Sequence, residues 1–180
     1  MASRDISGGV MPRSAASRVL IDRLKKRFTD QKVKLICADI AQPLSLEPET
    51  FDYVICSLVI HYIKDWTPLL DELFRVMKKE GLLFISTHHP YLVLDYPPLK
   101  DMSYFETTFV EDTWGKKKNP FKVHYYTRSL AATLKPIINS RFKIVDINEP
   151  LPDDRCKQIS PAIYERLRKR PGFLFMTLRK

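Results

Sequence analysis

Three of the four histidines in this 180-residue chain, His61, His88 and His89, fall just beyond short apolar runs. Histidine exchanges a proton near neutral pH, so one at the mouth of a pocket can act as a general base or orient a nucleophile. A plainer reading is equally open. His88 and His89 precede Pro90 and can be turn residues that bond the backbone, and His61 beside Tyr62 can be a satisfied helix-turn residue. Asp39 closes the apolar run Val33–Ala38. An acid there is poorly explained as core, although capping the loop before Pro43 would also use it.

Other chemistries are excluded by what is missing. The five glycines, Gly8, Gly9, Gly81, Gly115 and Gly172, cannot assemble a G-x-G-x-x-G or a phosphate loop. No H-E-x-x-H occurs, and Cys37, Cys56 and Cys156 form no C-x-x-C pair, so no metal site is expected. Two of the cysteines sit inside apolar runs and read as reduced residues of an intracellular protein.

The elements that must position these residues alternate. Ala16, Leu20, Leu24 and Phe28 recur every four residues and predict a helix over Arg13–Phe28. Val33–Ala38 and Asp52–Leu58 read as strands, the second an almost continuous apolar run suited to a parallel strand covered on both faces. Thr67–Lys79 predicts a helix capped by Thr67, started by Pro68 and ended by Gly81. Leu82–Thr87 is a strand. Residues 88–126 are aromatic-rich, with Tyr104–Thr113 and Phe121–Tyr126 alternating like the arms of a hairpin. They read either as a lid over an apolar ligand or as an ordinary satellite core. A helix over Ser129–Asn139, a strand over Phe142–Asn148, a helix over Pro161–Arg170 and a strand over Gly172–Leu178 complete the order. Strands alternating with helices predict an α/β domain. Ligands of such sheets sit beyond the carboxyl ends of the strands. Those ends carry Asp39-Ile40, Ser57-Leu58 with His61-Tyr62, and Thr87-His88-His89.

The block Phe51–Tyr62, followed by Asp65-Trp66 and Leu73–Leu83, resembles the central half of a class I S-adenosylmethionine-dependent methyltransferase, in its small-molecule (type 11-like) branch. The resemblance implies a Rossmann-like three-layer α/β sandwich with a mostly parallel sheet, here N-terminally incomplete, with an inserted antiparallel hairpin. The length suits one domain over 1–180, with the polar, glycine-containing 1–12 loose and 88–126 an insertion or lid. The resemblance implies S-adenosylmethionine as cofactor. Asp39 would bind the adenine amine, Ile40 would cover the ring, Ser57 and Leu58 would lie against the methionine moiety, and Asp5 would meet the ribose. His61 with Tyr62 would border the reacting methyl, and His88 and His89 at the mouth of the expected site join His61 as the catalytic candidates. The glycine-rich loop that would cradle the amino-acid end has no matching residues. A second reading follows from that departure: a non-catalytic remnant that acts through protein–protein pairing.

The net charge is +9, with clusters at Arg23–Arg27, Lys116–Lys118 and Arg166–Arg170. No recognised nucleic-acid module surrounds them, and charge runs are usually solvated faces. The expected partner is a small-molecule methyl acceptor, with no nucleic acid and no membrane. Without the family's first two strands, Tyr53–Leu58 would be an open sheet edge able to self-associate. No apolar run reaches about 18 residues and Met1–Val10 lacks a leader's apolar stretch, so a cytoplasmic protein is expected.

Overall fold

The computed structural model describes residue 36 and residues 38–115 and 120–180. The expected helix at Arg13–Phe28, nearly all of the Val33–Ala38 strand, Asp5 and the basic clusters at 23–27 and 116–118 lie outside the described residues.

The described residues form two sheets. The larger has the order β1 (Phe51–Ser57), β2 (Met77–His88), β6 (Phe173–Arg179), β5 (Lys143–Asn148). β1 and β2 run parallel, and β6 is antiparallel to both β2 and β5. Parallel pairing requires a crossover, which α1 (Thr67–Val76) supplies. The α/β class and the separate antiparallel hairpin are as expected. Within the described sheet, the parallel ladder is the single one between β1 and β2.

α1 buries Leu69, Leu70, Leu73 and Val76 on one face. The first three pack with Cys56, Leu83, Ile85, Leu174, Met176 and Leu178 from the sheet. α3 (Leu130–Ile138) adds Ile137, and Phe142 follows it. Ser129 caps α3 by accepting a hydrogen bond from the Ala132 N–H at 3.2 Å. The helix runs through Pro136. β1 is buried on one face alone among the described residues. Cys56 turns into the core, while Tyr53 and Ile55 remain 68% and 75% exposed. The expected two-sided burial is therefore corrected. Alternation along a strand sends successive side chains to opposite faces whatever their hydrophobicity.

Several boundaries differ from expectation for local reasons. α1 stops at Val76, so Lys78 and Lys79 belong to β2 and not to the helix terminus. Met77 already pairs with Phe51, and the register is then irregular until Leu82 pairs with Tyr53. Glu80, not Gly81, takes the positive φ, at 63°. Gly81 is needed for a different reason: a Cβ there would lie 2.9 Å from the Lys78 carbonyl oxygen and 3.0 Å from that of Asp52. At the helix start the Asp65 carboxylate, not Thr67, accepts the hydrogen bond, taking the Thr67 N–H at 2.9 Å.

The second sheet is the hairpin β3 (Thr108–Trp114) and β4 (Phe121–Thr127). Tyr104–Thr107 is not strand. Val110, Val123, Tyr125 and Leu99 form a small core of their own. Around it pack Leu92 from the short α2 (Leu92–Asp95), Tyr96, Met102, Trp114 and Tyr62. A further helix, α4 (Asp154–Ile159), precedes α5 (Pro161–Leu167), which ends three residues before the expected boundary.

Candidate functional site at the carboxyl ends of β1 and β2

β1 ends in a turn at Ser57-Leu58. Leu58 has a φ of 49°, in the left-handed region that a branched side chain rarely adopts. Ser86 of β2 fixes that turn: its carbonyl accepts the Leu58 N–H at 3.0 Å, and its hydroxyl lies 3.2 Å from both the Leu58 N and the Ser57 Oγ. The chain then passes through a 3-10 turn, Ile60–Tyr62, which buries His61.

His61 and His88 are brought together across the two strand ends. Their rings stack with centroids 4.3 Å apart and planes 18° apart. Tyr125 meets both edge-on, at 6.2 and 5.7 Å. Trp114 meets His88 at 5.8 Å. Both His61 nitrogens and His88 Nδ1 are buried without a hydrogen-bond partner among the described residues. Burial pushes the His61 pKa down to about 3, assisted by repulsion from His88 and Arg128. Burial also lowers that of His88. Both rings are thus neutral at physiological pH, so His61 is a weak base and serves better as a neutral hydrogen-bonding group.

His89 is placed differently. Its Nδ1 accepts the Tyr91 N–H at 3.0 Å, and its backbone N–H donates to the Gly172 carbonyl at 3.0 Å. Its Nε2 lies 2.7 Å from Glu149 Oε1, an ion-pair distance without hydrogen-bond alignment. His89 therefore takes the backbone-binding role that the sequence left open for it. Asp39 Oδ1 accepts the Ala41 N–H at 3.0 Å, the loop-capping contact, and Oδ2 takes no hydrogen bond among the described residues. Ile40 is half-buried against the main core.

Two cavities adjoin the stacked rings. The first, lined by His61, His88, His89, Trp66, Tyr125 and Arg128 among others, has about 20 Å³ of room, enough for one water. The second is a more open cleft of about 380 Å³ lined by His88, Tyr96, Trp114, Tyr125, Phe173 and Arg166 among others. Arg128 was not foreseen. It is buried, donates to the Ile63 carbonyl at 2.7 Å and lies 4.5 Å from the Trp66 ring centroid. Its one sequence signal is a lone cation closing the run Tyr125-Tyr126-Thr127. The Arg166–Arg170 cluster proves partly committed, since Arg166 and Arg170 both pair with Asp95. Among the described residues, no group of three acidic, histidine or cysteine side chains could hold a metal ion. Cys56 is free and buried, and burial raises its thiol pKa to about 11, which makes it unreactive.

Stacked histidines at parallel strand ends, a left-handed turn and an adjoining aromatic cleft can now be set beside known proteins. A family model described as methyltransferase domain matches residues 15–85. A solved S-adenosylmethionine dependent methyltransferase from Mesorhizobium loti superposes with a TM-score of 0.67 at 23% identity, covering 90% of this chain and 76% of that one. A Listeria monocytogenes protein assigned to the same class reaches a TM-score of 0.73 at 20% identity, over 91% of this chain and 75% of that one. This is the class I methyltransferase fold. A malonyl-[acyl-carrier protein] O-methyltransferase from Methylovorus sp. (strain MP688) is 35% identical over 88 residues, 49% of this chain. A Haemophilus influenzae protein is 25% identical over 143 residues. The chain spans 28% and 56% of the length of these two curated relatives. In this methyltransferase fold, no helix among the described residues is long and apolar enough to cross a membrane.

Proposed function

We propose that the chain takes part in S-adenosylmethionine-dependent methyl transfer to a small-molecule acceptor. The observation that carries this reading is the stacked His61–His88 pair at the carboxyl ends of β1 and β2 beside an open aromatic cleft, with both His61 nitrogens and His88 Nδ1 unpartnered among the described residues. A buried polar nitrogen without a partner is costly unless a ligand or water completes it.

The residues present fit the nucleoside flank of the cofactor. Asp39 keeps one carboxylate oxygen outside any hydrogen bond among the described residues, and Ile40 offers an apolar side chain beside it. A carboxylate oxygen accepts readily from an exocyclic amine. The strained Ser57-Leu58 turn brings backbone close to whatever occupies the strand ends. When bound, S-adenosylmethionine supplies an activated methyl group. The chain's own residues supply position and dryness: Tyr125, Trp114 and Phe173 wall the acceptor, and His88 holds the acceptor's proton through a ring nitrogen. His61 stacks behind His88 and fixes its plane.

Calorimetric and melting titrations with S-adenosylmethionine and S-adenosylhomocysteine test this. A ligand at about 100 times its dissociation constant stabilises the folded chain by roughly 2.7 kcal/mol. The expected result is a saturable signal lost in Asp39→Ala. No signal from a cooperatively folding chain would defeat the reading.

The exposure of Tyr53 and Ile55 on β1, an end strand of the described sheet, supports a second reading, a non-catalytic chain that pairs through this edge. A concentration-independent monomer in sedimentation equilibrium would count against it.

A further inference from the structure

The 380 Å³ cleft beside His88 has a chemistry of its own. Its walls are Tyr96, Trp114, Tyr125 and Phe173, which suit a planar apolar ligand. Its charged lining residues are the Asp95–Arg166 pair. The Asp95 side chain is only 3% exposed, and its two oxygens are divided between Arg166, at 3.1 Å, and Arg170. One carboxylate facing two guanidiniums leaves one net positive charge. Arg166 is about half-exposed and uses only Nη1 on Asp95, so its other N–H donors remain for a ligand. Asp112, beside Trp114, does not line the cleft. Its oxygens are taken by the Thr113 N–H, the Trp114 Nε1–H and the Tyr125 hydroxyl.

We infer that this cleft binds an aromatic monoanion, its ring between Trp114, Tyr125 and Phe173 and its carboxylate on Arg166, with the opposite edge of the ring presented to His88. Its description as the acceptor rests on the methyl-transfer reading, whereas the binding itself does not. A planar guanidinium pairs with a carboxylate through two parallel hydrogen bonds, which an ammonium or a neutral group cannot reproduce. Asp95 acts as a positioning residue: it holds Arg166 at the rim and spends half of the local positive charge.

The test is calorimetry on the full chain, without cofactor, with 4-hydroxybenzoate, phenol and tyramine as probes. 4-Hydroxybenzoate is expected to bind at least about tenfold more tightly than either of the others, the difference of one charge-assisted contact. Arg166→Gln should bring it down to the level of phenol, and Arg166→Lys should restore part of the loss. Arg170→Gln removes the same kind of Asp95 contact and one unit of local charge but no residue lining the cleft, and it should weaken binding clearly less than Arg166→Gln. Equal binding of phenol, tighter binding of tyramine, no binding of any probe, or no effect of Arg166→Gln would each overturn the inference. Arg166-dependent binding of 4-hydroxybenzoate by a chain that ignores S-adenosylmethionine would keep this site and end the methyl-transfer reading. The reverse pattern would end this inference alone.

Discussion

His61 stacks on His88 at 4.3 Å between centroids, and among the described residues no carboxylate contributes to either ring's pKa. The folded pKa of His61, about 3, lies well below the ordinary value near 6.5. Between those values the unfolded chain binds a proton that the folded chain refuses. Stability is therefore undiminished above pH 6.5 and falls as the pH drops toward 3. From pH 7 to pH 5 the loss from His61 comes to about 2 kcal/mol. Urea unfolding at both pH values should show it, and His61→Phe should remove most of the difference. An unchanged difference in that variant would contradict the burial assigned to His61.

Arg128 should be felt in two places. It bonds the Ile63 and Lys64 carbonyls from a buried position and covers Trp66. Arg128→Met leaves those carbonyls short of a donor and is expected to cost about 2–3 kcal/mol. Its positive charge also helps to depress His61. The His61 ring signals in a proton-resonance titration should therefore move to higher pH in the variant. The shift should be modest, because burial, the larger cause, remains.

Gly81 and Gly172 both lack room for a methyl group, yet they should respond unequally to alanine. At Gly81 the obstructing atoms are backbone carbonyl oxygens, at 2.9 and 3.0 Å. At Gly172 the obstruction is the Leu167 Cδ2, the end of a flexible side chain. Gly81→Ala must shift the β1–β2 crossing and is expected to cost about 1–3 kcal/mol. Gly172→Ala should cost less, as Leu167 changes rotamer. Midpoints of chemical unfolding compare the two directly.

The fold was legible wherever one physical signal dominated. Leu69, Leu70, Leu73 and Val76 share one face at helical spacing, and α1 follows. The β3–β4 hairpin was legible from alternation around Gly115, displaced only at the Tyr104 end. The residues that pack across the chain were not legible. Asp95 meets Arg166 and Arg170 from more than seventy residues away, so the basic cluster looked free. The sequence placed His61, His88 and His89 at one end of the sheet. It could not separate the stacked pair from His89, because the bonds to Tyr91 and Gly172 depend on the turn geometry after β2. Two-sided burial of β1 failed for a related reason: hydrophobicity marks a strand but not what covers it.

Leu58 separates stability from binding. Its φ of 49° costs a branched residue about 1–2 kcal/mol, while glycine pays about 0.5–1 kcal/mol in chain entropy to sit there. The side chain is already 39% exposed, so little packing is lost on its removal. Leu58→Gly should thus leave the unfolding free energy within about 1 kcal/mol of the parent. Ser86→Ala, which removes the hydroxyl beside Leu58 N and Ser57 Oγ, should cost about 1 kcal/mol. If the turn is held in this shape to meet a ligand, both variants should weaken S-adenosylmethionine binding severalfold, Leu58→Gly without a matching loss of stability. Strain at a single non-glycine position persists when the surrounding structure over-determines it, and such positions cluster at ligand sites. Parent-like affinity in Leu58→Gly would show that the Leu58 conformation serves the fold of β1 and β2 and not the ligand.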